Sequence, residues 1–225
     1  MFRFTIGDVL WLMVVFAVSL SGSLANQASS QTFVEVRSAS LTVLTATERE
    51  RFLTAHNIAR KTVGVEPVSW SDELSKHALE SLGQQKDALI ATAKEGWMQG
   101  LAVLPEHSVQ SEYGENVAGW VGRRSQSAEL AVDLWLREKA AFDKLNAGGS
   151  YHVGNEEGKS ETDELGKERP IVVGHYTAII WRTTTHIGAA KLGFELRDDQ
   201  GKTRFYAAIV CNYNPAGNRH GEKPH

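Results

Sequence analysis

The sequence has a single cysteine, Cys211, so the chain cannot form an internal disulfide bond. A chain of 225 residues is long enough to be stabilised by its apolar core alone, and no disulfide is required for folding. Cys211 ends the apolar run AAIVC, which is typical of a buried thiol that packs as a small hydrophobic side chain rather than of a nucleophile.

The chain also lacks a strong excess of charge of either sign. Its formal net charge is -3 and no basic tract is present. Because nucleic-acid binding needs concentrated positive charge, we expect no nucleic-acid partner. Hydrophobic residues make up 42% of the chain and charged residues 23%, a balance that is typical of one globular domain.

Several catalytic signatures are missing. The sequence holds no HExxH, no glycine-rich phosphate loop and no strand–turn–helix elbow around a serine. It therefore gives no support for a zincin protease, a phosphate-loop NTPase or an α/β-hydrolase.

The apolar run Val9–Leu20 is too short to cross a bilayer comfortably. It follows a weakly basic start at Arg3 and precedes small residues that end at Ala25. This pattern predicts a secretory signal in residues 1–25, and export to the extracellular space or to a periplasm. The alternative is an uncleaved N-terminal anchor, since Asp8 lies beside the apolar run. After cleavage we expect no stable membrane insertion.

Helical patterns occupy the first part of the chain and strand patterns its end. Thr47 and Glu50 fit a capping box, and apolar residues recur at helical spacing after it and again over 71–82, 87–98 and 127–145. Strands are predicted over 186–196 and 203–213, with a turn at 198–201 between them, while 171–181 is predicted as one strand or as a strand and a turn. Helices that precede an antiparallel sheet indicate an α+β fold.

The remaining segments are predicted to be extension, loop or tail. Residues 26–44 are a polar N-terminal extension before a domain that spans 45–218. Residues 146–170 hold five glycines and six acidic residues with almost nothing apolar, which predicts a surface-loop insertion. Residues 219–225 are predicted to form a solvated polar tail.

Four segments resemble, in the same order, the motifs of one protein family. They are AHNIAR at 55–60, YGENVA at 113–118, GHYTAIIWRTT at 174–184 and CNYNPAGN at 211–218. On these motifs the chain is identified as a member of the CAP superfamily, which groups cysteine-rich secretory, antigen 5 and pathogenesis-related 1 proteins. In its lack of disulfides it is more similar to bacterial members, or to the non-secreted animal branch, than to venom or plant members.

The resemblance implies an α-β-α sandwich, in which a mainly antiparallel sheet lies between helical layers. It also implies a cleft that holds two histidines and two glutamates. Matched motif by motif, the glutamates are Glu115 in GEN and Glu138 in the segment WLRE. The histidines are His175 in GHYT and His107, which precedes GEN in a His-Ser pair. His56, on the inward face of the first helix, is the alternative to His107.

These residue types suit metal binding and acid–base chemistry. Neutral imidazoles bind zinc well, so His107 and His175 are the candidate ligands of a Zn²⁺ cofactor. Carboxylates can complete a metal's ligand shell or activate a bound water, and a His/Glu pair can act as general base and acid. The alternative is structural: Glu138 pairs with a cation or donor and only stabilises the fold.

Three hypotheses for function follow. The resemblance favours a secreted binding module whose cleft holds a divalent metal, a lipid or sterol, or a protein partner, without turnover. The second hypothesis is a zinc-dependent hydrolase or peptidase in which Glu115 or Glu138 activates a water held by the histidines. The third is an interaction protein that uses residues 146–170 as its contact. No role is predicted for His77, which we expect on the surface.

Overall fold

The structure is a computed structural model and describes residues 33–108, 111–123, 127–146, 155–162, 168–219 and 221–225. The helices in these ranges are α1 (Ala46–Thr62), α2 (Asp72–Glu95), α3 (Glu129–Leu136), α4 (Lys139–Asn146) and α5 (Gly174–Ile179). The strands are β1 (Val34–Val43), β2 (Ser69–Trp70), β3 (Gly114–Gly122), β4 (Asn155–Thr162), β5 (Glu168–Val172), β6 (His186–Asp198) and β7 (Thr203–Asn214). The predicted signal in residues 1–25 lies outside the described residues.

The central sheet has the strand order β1-β6-β7-β3, and all three of these pairings are antiparallel. The short strand β2 adds a parallel pairing with β6. β6 and β7 form the predicted hairpin, and its turn contains Gly201 in the left-handed region, with a φ of 82°. β3, for which the sequence patterns predicted no strand, is the edge strand that carries the GEN motif.

Helices cover both faces of this sheet. α2 lies on one face, where its Leu82 packs in a cluster with Ala190 and other alternate residues of β6. α1, α3 and α5 lie on the other face, where Phe52 packs in a second cluster with Ala189. Successive residues of β6 therefore face different helical layers, as strand geometry requires. The α+β class and the α-β-α sandwich are confirmed.

The second cluster also contains Cys211, which is fully buried. Burial raises the pKa of its thiol well above the ordinary value, so the thiol stays protonated at neutral pH. The structure agrees with the predicted role of Cys211 as a small apolar side chain.

The N-cap of the first helix lies two residues earlier than predicted. The sequence contains two overlapping T-x-x-E patterns, and the structure uses Thr45 with Glu48 instead of Thr47 with Glu50. The side chain of Glu48 also pairs with Lys191 of β6. The ion pair with Lys191 on the sheet favours Glu48 over Glu50 as the capping glutamate, and the sequence alone does not reveal this contact.

α2 is one continuous helix where two segments were predicted. It passes through Gly83, where an added Cβ would lie 3.5 Å from Leu41 of β1, an ordinary van der Waals contact. None of the helices in the described ranges is long and apolar enough to cross a membrane.

The predicted helix over 127–145 is divided in two. α3 ends at Leu136 and α4 begins at Lys139. Glu138 therefore lies at the junction rather than on the face of one helix, and its backbone carbonyl accepts the N–H of Phe142 in the first turn of α4.

The segment 171–181, predicted as one strand or as a strand and a turn, contains helix α5. Only its first residues, up to Val172, belong to a strand, β5. β-branched and aromatic residues favour strands in isolation, but contacts at both ends of α5, given below, override this local preference.

The three predicted irregular segments have more structure than expected. The predicted surface loop 146–170 contains β4 and the start of β5, which pair with each other in an antiparallel two-stranded sheet. Part of the predicted extension 26–44 is the edge strand β1. In the predicted solvated tail, Pro224 is buried and its carbonyl accepts the N–H of Arg182, while the ring of His225 packs near Phe142.

Candidate functional site

His107 and Glu115 form the first of two histidine–glutamate pairs. The Nδ1 of His107 donates a hydrogen bond of 3.1 Å to Oε1 of Glu115. Because an ionised carboxylate only accepts, Nδ1 carries the proton and Nε2 of a neutral ring has a free lone pair. The His107 side chain is 40% exposed while that of Glu115 is 5% exposed, so the imidazole lies between solvent and a buried carboxylate.

Glu115 accepts three further hydrogen bonds. Ser108 donates its backbone N–H and its hydroxyl, each at 2.9 Å, and Asn212 donates its amide at 3.3 Å. Burial alone would raise the pKa of Glu115, but the hydrogen bonds from His107 and Ser108 outweigh this effect and lower the pKa. Glu115 is therefore a fixed anion at neutral pH.

Glu138 and His175 form the second pair. The Nδ1 of His175 donates to Oε1 of Glu138 at 2.5 Å, so this ring also presents Nε2 as its free nitrogen. Oε2 of Glu138 accepts the backbone N–H of His175 at 2.9 Å and that of Tyr176 at 3.0 Å. The cap residue of α5, Val173, provides no side-chain cap, and the carboxylate of Glu138 takes that place at the helix start.

The ring of His175 is also held from its face. Trp135 stacks on it with ring centroids 6.0 Å apart and an interplanar angle of 9°. The indole N–H of Trp135 donates to the carbonyl of Val117 at 3.0 Å, which ties the stack to β3. The orientation of this imidazole is thus set by the carboxylate, the indole and its own backbone.

The structure places the four predicted residues in two pairs, His107 with Glu115 and Glu138 with His175. Glu115 and Asn116 are neighbours on β3, so their side chains lie on opposite faces of the sheet. Asn116 donates to the backbone carbonyl of His175 at 3.0 Å, which links the strand of one pair to the helix of the other. Within the described part of the chain, no three His, Cys, Asp or Glu side chains are grouped so that they could hold a metal ion.

His56, the alternative first histidine, has both ring nitrogens engaged in the core. Nδ1 donates to the carbonyl of Phe52 and Nε2 accepts the hydroxyl of Tyr213, both at 2.9 Å. Complete burial lowers the pKa of His56 to about 4, so the ring is neutral at pH 7. The structure pairs Glu115 with His107 and leaves His56 without a free nitrogen.

Comparison with known proteins identifies the family. The model of the family described as "CAP: Cysteine-rich secretory protein family" matches residues 53–213, well over half of the chain. The chain belongs to this CAP family. Its matched region contains all four residues of the two pairs.

Relatives of this CAP protein include pathogenesis-related proteins of plants. It is 30% identical over 177 residues to pathogenesis-related protein 1A of Nicotiana tabacum, covering 79% of this chain and 80% of the relative. It is 32% identical over 177 residues to pathogenesis-related protein 1A1 of Solanum lycopersicum, covering 76% and 74%. The crystal structure of MpPR-1i aligns with a TM-score of 0.44 at 15% identity, over 77% of this chain and 91% of that one. The predicted likeness to bacterial members stays a prediction.

Sequence reasoning missed four polar residues around the first pair of this CAP domain. They are the α2 residues His77, Ser81 and Gln85 and the β7 residue Asn212. The available signal was the spacing of four residues along α2, which places the three helical side chains on one side. The sequence does not say which loop that side faces.

Proposed function

We propose that this protein is a secreted CAP binding module that holds one divalent cation through Nε2 of His107 and Nε2 of His175. The predicted signal in residues 1–25 and the secretory family support the location. The observation that carries the proposal is the engagement of both Nδ1 atoms: each donates to a carboxylate, so each imidazole presents Nε2. Among the described residues, neither Nε2 has a hydrogen-bond partner.

The two imidazoles are donors of the type that zinc favours. Histidine ligands of metal ions typically donate the other ring nitrogen to a carboxylate, which fixes the tautomer and raises the basicity of the ligating nitrogen. Here Glu115 and Glu138 take that role, while His107 and His175 provide the borderline nitrogen donors that Zn²⁺ favours. Two imidazoles leave coordination positions open to water or to a bound molecule.

The same contacts favour binding over hydrolysis. A general base must be free to accept a proton from water, but the Glu115 carboxylate already accepts four hydrogen bonds. Glu138 likewise accepts three hydrogen bonds from α5. The carboxylates are placed to orient imidazoles rather than to activate a nucleophile. Binding of a lipid, a sterol or a protein partner stays a prediction.

Titration calorimetry with Zn²⁺ tests the proposal. We expect saturable binding of one ion near neutral pH, lost in His107→Ala and also in His175→Ala. His186 is exposed and lies outside both pairs, so His186→Ala is the matched control and should bind as the wild type does. No binding by the wild type, or two ions of which each variant loses one, would overturn the shared site.

A further inference from the structure

Three side chains on one side of α2 contact the surroundings of His107. His77, Ser81 and Gln85 are spaced by four residues, and we call them the α2 stripe. Each contacts a different neighbour: Asn212 beside Glu115, and Ser108 and Glu106 on either side of His107 in the chain. A spacing of four residues places side chains above one another on a helix, so the stripe forms one surface.

Gln85 holds the residue before His107 by two hydrogen bonds. Glu106 donates its backbone N–H to Oε1 of Gln85 at 2.7 Å and accepts from Nε2 of Gln85 at 3.0 Å. The amide side chain thus pairs with both backbone groups of Glu106. Because the loop that carries His107 has no regular secondary structure, this pairing supplies hydrogen bonds that its backbone would otherwise lack.

Ser81 holds the residue after His107. Ser108 gives its hydroxyl proton to Oε2 of Glu115, so in the 3.0 Å contact between the two serine hydroxyls Ser81 is the donor. Gln85 in turn donates to the hydroxyl of Ser81 at 3.3 Å. These hydrogen bonds form a chain in which each residue donates to the next, from Gln85 to Ser81, from Ser81 to Ser108 and from Ser108 to the Glu115 carboxylate.

His77 reaches the same carboxylate by a second route. Asn212 is fully buried and points its amide N–H at Glu115, so its oxygen faces Nδ1 of His77 at 3.1 Å and accepts from it. The ring of His77 also packs edge-on against Tyr113, with centroids 5.1 Å apart. His77 thus fixes the orientation of the Asn212 amide, and it is half-buried where a surface position was expected.

We propose that the α2 stripe positions His107: Gln85 and Ser81 hold the loop on both sides of it, and His77 holds its carboxylate partner through Asn212. All three are positioning residues, since none reaches the Nε2 atom of His107. The effect on cation affinity rests on the proposed function, whereas the effect on the loop does not. A ligand held in place before binding costs less conformational entropy when the ion arrives.

Gln85→Ala and Gln84→Ala in the full chain form the test pair, since Gln84 is the exposed neighbour of Gln85 on the same helix. In Gln85→Ala without metal, we expect faster hydrogen exchange at the Glu106 N–H and altered nitrogen chemical shifts of the His107 ring, with the His175 ring unchanged. We also expect Zn²⁺ affinity to fall roughly tenfold, the low end for residues that support metal ligands. Gln84→Ala should match the wild type in all three measurements.

Ser81→Ala is the second test variant, because it removes only a hydroxyl and one link of the chain of donors. If both variants leave the Glu106 exchange and the His107 shifts as in the wild type, the positioning role is wrong. If these change while Zn²⁺ affinity does not, the role in cation binding is wrong. If they change but the wild type binds no zinc, positioning stands and the proposed cation function alone fails.

Discussion

Glu138 accepts two hydrogen bonds from a single residue, His175: one from the backbone N–H at 2.9 Å and one from Nδ1 at 2.5 Å. One carboxylate therefore caps a helix and orients the imidazole in its first turn. Glu138 lies at the junction of α3 and α4, three residues after Trp135, whose indole stacks on the same imidazole. The same carboxylate therefore stabilises the fold and orients a residue of the candidate site.

The first prediction concerns Glu138→Gln. The amide has one accepting oxygen, so its N–H₂ replaces either Oε2, and α5 loses its cap, or Oε1, and the His175 ring loses the contact that fixes its tautomer. We expect the free energy of unfolding in urea to fall by about 1–3 kcal/mol, and the nitrogen shifts of the His175 ring to change. Glu95→Gln, at an exposed site near the end of α2, is the control and should change neither.

Contacts at the two ends of α5 explain why a sequence that favours a strand forms a helix. HYTAII contains β-branched and aromatic residues that favour a strand, and it contains no side-chain cap of its own. Glu138 caps the start of the helix, and Arg60 of α1 donates to the carbonyls of Ile179 and Trp181 at its end. Both contacts come from residues distant in sequence, so no local pattern could reveal them.

The second prediction concerns Arg60→Met. Arg60 is 1% exposed and donates to four backbone carbonyls, those of Glu66, Ile179, Trp181 and Thr184. Methionine fills similar volume but removes the donor to the carbonyls of Glu66, Ile179 and Thr184, while the carbonyl of Trp181 keeps the backbone N–H of Thr184. Since each unsatisfied acceptor costs about 1–3 kcal/mol and the site can partly relax, we expect a loss of roughly 3–5 kcal/mol in the free energy of unfolding.

Lys61→Met is the matched control for Arg60→Met. Lys61 is the next residue of α1 and is exposed, so its variant should stay within about 0.5 kcal/mol of the wild type in the same urea titration. Equal losses in the two variants would show that removing a cation from this end of α1, rather than unsatisfying the carbonyls, causes the effect.

The sequence reveals the sheet's central hairpin more readily than its edges. β6 and β7 alternate or run apolar over most of their length around a clear turn, and their predicted bounds agree closely with the structure. β1 has a weak polar pattern because most of its residues are exposed, and it resembles a polar extension. Family motifs indicated the four residues, but their pairing and hydrogen bonds such as His77–Asn212 depend on tertiary contacts between distant elements.

The third prediction compares two glycines of β6. A Cβ at Gly188 would lie 2.4 Å from the backbone nitrogen of Ser75 and 2.5 Å from the carbonyl oxygen of Ser71, at the start of α2. Neither backbone atom can move without displacing the helix. We expect Gly188→Ala to lower the free energy of unfolding by about 1–3 kcal/mol or more, measured by urea denaturation.

Gly193→Ala provides the comparison on the same strand, because an added Cβ there meets nothing within 4 Å. Alanine is also slightly favoured over glycine in a strand, so this variant should be neutral or more stable by a few tenths of a kcal/mol. A tolerated Gly188→Ala would contradict the close approach of α2 to β6.

The last prediction concerns the pH dependence of stability, which the buried ring of His56 should increase. Its pKa is about 4 in the folded protein, lowered by burial from 6.5, so between these values the unfolded chain binds a proton that the folded protein does not. Stability is therefore complete above pH 6.5 and falls as the pH decreases towards 4, by about 3 kcal/mol in total for this group. Urea titrations at pH 7, 5.5 and 4 should show that the free energy of unfolding declines less in His56→Gln than in the wild type, by about this amount, whatever the stability of the variant at pH 7.

His186→Gln changes an exposed ring and is the control, which should keep the wild-type pH dependence. Acid groups elsewhere contribute equally to all three proteins. A wild type that loses no more stability than His56→Gln over this range would show that His56 accepts a proton in the folded core.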